Sequence, residues 1–79
     1  MARDYYAETR ALAATLADGG FGTWSQQLTD MIAAGATGTE ICMGLRWVLT
    51  QMLQTEDALP ASLRMEANGL RQALEKLLS

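Results

Sequence analysis

Apolar residues recur at helical spacing in four segments of the chain, and the first of these covers residues 4–18. Leu12 and Leu16 lie one turn apart on the same side of the predicted helix. The pair Gly19 and Gly20 predicts its end, because glycine adopts the left-handed conformation at a helix C-terminus without a steric penalty.

The second segment predicts a helix that begins at Thr23 and stops at Gly35. Thr23 and Gln26 have the spacing of a capping box, in which two side chains bond backbone N–H groups that the first turn leaves unpaired. Apolar side chains follow at four-residue intervals, at Trp24, Leu28 and Ile32. We expect these side chains to form the buried face of the helix.

The third segment predicts the central helix of the fold, over about residues 39–53. Thr37 and Glu40 form a second capping box ahead of it. One apolar stripe consists of Ile41, Leu45, Val48 and Met52. Met43 and Trp47 lie on a different side. A helix that is apolar around most of its circumference is expected to be buried on more than one side.

The fourth segment follows a polar connection at residues 54–59 and is predicted to run from Pro60 to Leu78. Proline suits the first turn of a helix, where its missing N–H costs nothing. A seam of apolar residues, spaced three and four apart, comprises Leu63, Ala67, Leu70, Leu74 and Leu77. We expect the seam to dock on the chain's own core, with a dimer seam as the alternative. Gly69 could divide the segment, but a continuous helix is the expectation.

These segments predict an all-α fold, a compact bundle of four helices that forms a single domain over residues 1–79. Hydrophobic residues make up 49% of the chain and charged residues 19%, a balance that favours self-association. A homodimer is therefore expected. The net charge of −3 argues against a nucleic-acid partner, and no run of ~18 apolar residues indicates a membrane partner.

The sequence contains no set of residues suited to catalysis. Histidine, the commonest general base and metal ligand, is absent, and one cysteine is too few for a zinc site. Cys42 lies in an apolar helical run, where we expect a packed and inert thiol. We therefore predict no catalytic, metal or cofactor-binding residue and no enzyme. The lone cysteine indicates a reducing compartment, and the cytoplasm is the expected location.

Met43, Arg46 and Trp47 are the candidate partner-binding residues. Their residue types are enriched at protein interfaces. Two interpretations stay open: the first and fourth helices cover this side of the central helix, or it forms an exposed patch. Tyr5 and Tyr6 present a similar choice, because one is expected to pack inward and its neighbour, ~100° around the helix, to face outward.

Between Trp24 and Leu53 the chain carries the helix start Gly35-x-Thr37-Gly38-Thr39-Glu40-Ile41, followed by Leu45-Arg46-Trp47. This arrangement resembles a pattern in small all-helical proteins of bacteria and phages that carry no assigned activity. The resemblance implies a bacterial or phage origin and assigns no site residue.

Small acidic proteins from such sources include toxin-immunity proteins and anti-CRISPR inhibitors, which act by covering a surface of their target. We therefore predict a non-enzymatic protein–protein interaction module that regulates or inhibits a protein partner, of immunity or anti-CRISPR type in its narrower form. The alternative is a small hydrophobic-ligand-binding protein. Its pocket would lie between the third and fourth helices, lined by Met43, Trp47, Met52 and Met65.

Overall fold

Over the described residues, the fold is a closed ring of four helices. A computed structural model describes residues 3–35 and 37–79. In chain order the helices are α1 (Tyr5–Asp18), α2 (Gly22–Ala34), α3 (Gly38–Thr55) and α4 (Ala61–Leu78). Each helix packs against its neighbours in sequence, and α1 also packs against α4. The predicted all-α four-helix bundle is confirmed, and α4 runs unbroken through Gly69.

The turn between α1 and α2 is a Schellman motif centred on Gly20, whose φ of 91° lies in the left-handed region. The N–H of Phe21 donates to the Leu16 carbonyl at 2.8 Å, and the N–H of Gly20 donates to the Ala17 carbonyl at 3.3 Å. These bonds satisfy carbonyls that the end of α1 would otherwise leave unpaired. The predicted glycine stop is confirmed.

The start of α2 differs from the prediction, because the turn itself begins the helix. Phe21 occupies the N-cap position, and its carbonyl accepts the N–H of Ser25 at 3.1 Å. Thr23 therefore lies inside the first turn, and the Gln26 amide bonds the Asp30 carboxylate instead. The capping box predicted at Thr23 is wrong. The cap predicted ahead of α3 is present, since the Thr37 hydroxyl accepts the Glu40 N–H at 3.2 Å.

Two glycines allow α2, its connection and α3 to lie close together. A Cβ on Gly44 would lie 2.6 Å from the Met31 sulfur, and a Cβ on Gly35 would overlap the side chain of Ile41. Neither position could hold a larger residue without a shift of its neighbour. The absence of a side chain at Gly35 and Gly44 lets Ile41 and Met31 pack directly against the backbone at these positions.

The core draws apolar side chains from every helix, and α3 contributes the most. The buried apolar side chains are Leu12, Ala13, Leu16, Leu28, Cys42, Leu45, Val48, Leu49, Met52, Leu59, Leu63, Ala67, Leu70 and Leu74. Leu59 belongs to this cluster although its segment is predicted as a polar connection. The burial of Cys42 agrees with its predicted packing. In the described part of the chain, no helix is long and apolar enough to cross a membrane.

The leucine seam of α4 docks on the chain's own core, as expected. Four of its members are buried, and only Leu77, near the C-terminus, is 53% exposed. The two tyrosines behave differently from the prediction. Tyr5 and Tyr6 are both partly buried, since Tyr5 packs against the core cluster and the Tyr6 hydroxyl lies close to Gly38.

Candidate partner-binding surface

Met43 and Trp47 lie together on the solvent side of α3. Met43 is 50% exposed and Trp47 is 58% exposed. Side chains four residues apart on a helix are neighbours, with Cβ atoms ~5–6 Å apart. The two therefore form one continuous apolar surface.

Helix geometry explains their exposure. Leu45 is fully buried, and at ~100° per residue Met43 and Trp47 each lie about 160° from it around α3. α2 and α4 pack against the two flanks of α3, whereas the backbone of α1 does not come close to it. The interpretation in which the first and fourth helices cover Met43 and Trp47 is therefore wrong.

Arg46 lies beside these two residues, on the α4 side of α3. Its side chain is partly buried, and it makes no salt bridge or side-chain hydrogen bond with any described residue. Between Ile41 and Thr55 it is the single charged residue of the sequence. The structure thus brings the three predicted site residues together, and we name Met43, Arg46 and Trp47 the Trp47 patch.

A groove of about 550 Å³ runs between α3 and α4 next to the Trp47 patch. It is lined by Thr50, Leu53, Gln54, Ala61, Arg64, Met65, Asn68 and Arg71. Met65 is 74% exposed. The lining contains two arginines and no carboxylate. We name it the α3/α4 groove.

Arg64 anchors the lower end of this groove by capping α3. Its Nη1 donates to the Leu53 carbonyl at 3.0 Å, and its Nη2 donates to the Glu56 carbonyl at 2.8 Å. These carbonyls lie at the C-terminus of α3, where the helix dipole also favours a cation. Both acceptors are neutral carbonyls, so neither bond pairs the guanidinium with a carboxylate. The sequence indicates Arg64 only as a residue that flanks the leucine seam.

Arg71 is the one groove arginine with a carboxylate partner among the described residues. Its Nη1 donates to Glu75 at 2.8 Å, one turn further along α4. Its Nε and Nη2 donate to the Asn68 Oδ1 at 3.3 and 3.0 Å. These bonds hold the guanidinium against α4, at the end of the groove nearest Arg46.

The small-ligand pocket predicted from the methionines does not form. Met52 is fully buried in the core, whereas Met43, Trp47 and Met65 lie on the outer surface. Met52 lies about 180° from Met43 around α3, so the four side chains cannot line a single pocket. The prediction of this lining is wrong.

A second concave surface, of about 720 Å³, lies at the end of the bundle where α1 and α3 begin and α4 ends. We name it the end cleft. Its walls are Arg3, Asp4, Tyr5, Tyr6, Gly38, Thr39, Cys42, Leu77 and Leu78. Tyr5, Tyr6, Leu77 and Leu78 supply apolar walls, and Arg3 and Asp4 add charged groups. Among the described residues, no group of three or more acidic, histidine or cysteine side chains is placed to hold a metal ion.

An ion pair at the N-terminus of α1 is the main electrostatic feature outside the groove. Arg3 donates to both carboxylate oxygens of Glu8, at 2.6 and 2.8 Å. The hydrogen bond from Arg3 lowers the pKa of the Glu8 carboxyl, and the same bond raises the pKa of Arg3. Both side chains are substantially exposed, so the pair is a surface contact that holds Arg3 along the first turn.

Comparison with known proteins found no match. No protein-family model, curated protein or solved structure matches this chain.

Proposed function

We propose that this protein is a non-enzymatic interaction module that regulates or inhibits a protein partner through the Trp47 patch. The observation that carries the proposal is the joint exposure of Met43 and Trp47 on one face of α3. Burying a large apolar side chain is worth ~1.5–3 kcal/mol. A partner that covers both side chains would recover much of that free energy, so the patch has the character of an interface anchor.

The chemistry of the patch favours binding over catalysis. Its single charged group, the Arg46 guanidinium, supplies hydrogen-bond donors but no acceptor and no nucleophile. Methionine and tryptophan supply contact area and no nucleophile. A surface of this kind can bind a partner and keep other molecules off the surface that it covers, which is what an inhibitor or regulator requires.

Site-specific photocrosslinking tests the proposal. Benzoylphenylalanine in place of Trp47 is expected to give a defined protein adduct in cells that express the chain. The same group in place of Ala14, an exposed residue of α1, serves as the control and is expected to give none. Equal adducts from both positions, or none from position 47, would contradict an interface at the patch. Met43→Ser should reduce the adduct, since it removes the neighbouring anchor.

The expected homodimer remains part of the proposal, and light scattering after size-exclusion chromatography measures it. Trp47→Ala and Leu77→Ala truncate exposed apolar side chains on different surfaces. A dimer that is lost only in Trp47→Ala would mean that a second copy of the chain covers the patch. A dimer that survives Trp47→Ala would use another face and leave the patch free for a different protein.

The narrower form of the proposal is an immunity protein or an anti-CRISPR inhibitor in the bacterial cytoplasm. The small size, the net charge of −3 and the lone buried cysteine support it. Co-expression with any toxin or nuclease that a neighbouring gene encodes tests this form. Protection of the host by the wild type, with loss of protection in Trp47→Ala, is the expected result.

A second candidate function is the binding of a small hydrophobic ligand, and the end cleft favours it. Its volume of about 720 Å³ lies in the range of ligand pockets, ~300–1,000 Å³. A fluorescent fatty acid tests this candidate. Binding that is weakened by Leu77→Glu and unchanged by Trp47→Ala would support it, whereas no saturable binding would exclude this ligand class from the cleft.

A further inference from the structure

We infer that the Trp47 patch and the α3/α4 groove together bind an amphipathic helix of the partner whose polar flanks are acidic. The inference rests on the proposed function and adds the chemistry of the partner. It follows from the continuity of the patch with the groove, from the length of the combined surface and from its charge.

The patch and the groove are continuous along α3. Thr50 lines the groove, and it lies one turn after both Arg46 and Trp47. Arg46 and Thr50 are four residues apart, so their side chains are neighbours on the side of α3 that lines the groove. A partner seated in the groove therefore meets Arg46 and the Trp47 patch without a gap.

The dimensions match one short helix. From Met43 to Gln54 the combined surface extends ~16 Å along α3, about three turns of a partner helix. Exposed apolar side chains stand on both sides, with Trp47 on α3 and Met65 on α4. A helix that lies in a groove between two helices presents anchors at positions i, i+3, i+4 and i+7, and these would meet the apolar side chains.

The charge of this face opposes that of the whole molecule. The chain carries six basic and nine acidic residues, yet Arg46, Arg64 and Arg71 all lie along the patch and the groove, where Glu75 offsets the charge of Arg71 alone. Arg46 and Arg64 have no carboxylate partner among the described residues. Carboxylates on the flanks of a bound helix would supply partners for both, and charge-assisted bonds of this kind are stronger than neutral ones.

The same charges disfavour the other occupants. A two-fold dimer uses one face on both copies, so the groove arginines would meet a second surface that has no carboxylate in its groove lining. Nucleic acid or an anionic membrane would present negative charge over a wide area, and the acidic remainder of the chain would be repelled. A short acidic helix meets only the local arginines, because salt screens charges more than ~10 Å away.

A phage-displayed library of helical peptides about four turns long provides the probe. Apolar residues are fixed at the anchor positions, and the flanking positions encode glutamate and lysine equally. The library is panned against the wild-type protein, and we expect the recovered peptides to be enriched in glutamate. The best peptide and its counterpart with every flanking glutamate replaced by lysine are then synthesised, and their Kd values are measured by fluorescence anisotropy.

Arg46→Glu reverses the charge of the patch, and Arg10→Glu makes the same change on the exposed surface of α1. We expect Arg46→Glu to weaken the acidic peptide at least about tenfold and to improve binding of the lysine counterpart. Arg10→Glu should change either Kd by less than about twofold. Circular dichroism of each variant confirms that the fold is retained.

The outcomes separate this inference from the proposed function. Peptides that require Trp47 but show no acidic preference, or that bind Arg46→Glu as well as wild type, would overturn the acidic partner and leave the interaction surface standing. Failure to recover any Trp47-dependent peptide would count against both. Binding to vesicles of phosphatidylcholine and phosphatidylserine, lost in Arg46→Glu and absent with phosphatidylcholine alone, would replace the partner helix with a membrane surface.

Discussion

Replacement of Gly69 by alanine is expected to stabilise the protein. Gly69 lies in the middle of α4 and is exposed, and a Cβ built on it would meet no atom within 4 Å. Its φ is not in the left-handed region. Glycine inside a helix costs ~1 kcal/mol relative to alanine, chiefly through the backbone entropy lost on folding. Since nothing in the structure requires glycine here, the gain should be close to that full value.

Gly44→Ala makes the same substitution inside α3 and provides the matched control. The gain in helix propensity is equal, but the new Cβ would lie 2.6 Å from the Met31 sulfur. A methyl group forced into a packed contact costs ~1–3 kcal/mol, because the neighbouring side chain must change its rotamer or the helices must separate. The two effects offset each other, so Gly44→Ala should give no stabilisation or a net loss.

Thermal unfolding followed by circular dichroism at helical wavelengths distinguishes the two variants. For a domain of this size, 1 kcal/mol corresponds to a change in Tm of about 4–8 °C. Gly69→Ala should raise Tm by about this amount, whereas Gly44→Ala should leave it unchanged or lower it. An equal rise in both variants would refute the close approach of α2 and α3 at Gly44. A lower Tm in Gly69→Ala would contradict the open space around a Cβ at this position.

Three further predictions concern single side chains. Arg64→Met should lower the free energy of unfolding in urea by about 1–3 kcal/mol, because two carbonyls at the end of α3 lose a charged donor, whereas Arg10→Met on the exposed surface should change it little. The hydrogen bond from Arg3 lowers the pKa of Glu8 in the folded state, so the pair stabilises the fold fully at pH values above the ordinary carboxyl pKa of 4.5. This stabilisation is lost as pH falls through the lower pKa of the folded state. Glu8→Gln should therefore remove this part of the acid dependence of Tm. The buried thiol of Cys42 should react with a thiol reagent far more slowly in the native protein than in urea, and equal rates would contradict its burial.

Local features of the sequence were sufficient to predict the helices. The four-residue spacing of apolar side chains, Gly20 as a stop and Thr37 as a cap each depend on residues within one or two turns. The failure at Thr23 has a local cause too. A Schellman turn ends at Phe21 and makes that residue the cap of α2, so Thr23 already lies inside the first turn and cannot cap the helix.

The candidate surface was predicted only in part. Residue type and helical spacing singled out Met43, Arg46 and Trp47, but they left open whether other helices cover them. The charge of the neighbouring groove was not predicted at all. Arg64 reaches the carbonyls of α3 from α4, and no spacing along the chain indicates such a contact.

The sequence by itself determined which segments are helical and which side of each helix is apolar, because those properties depend on neighbours three and four residues away. Only the tertiary structure decided that α2 and α4 flank α3 while its outer side remains in solvent. That arrangement depends on the order of the helices around the ring and on the close approach at Gly44, where Met31 packs against the α3 backbone. Such contacts join residues far apart in the chain, so the periodicity of apolar residues cannot predict them.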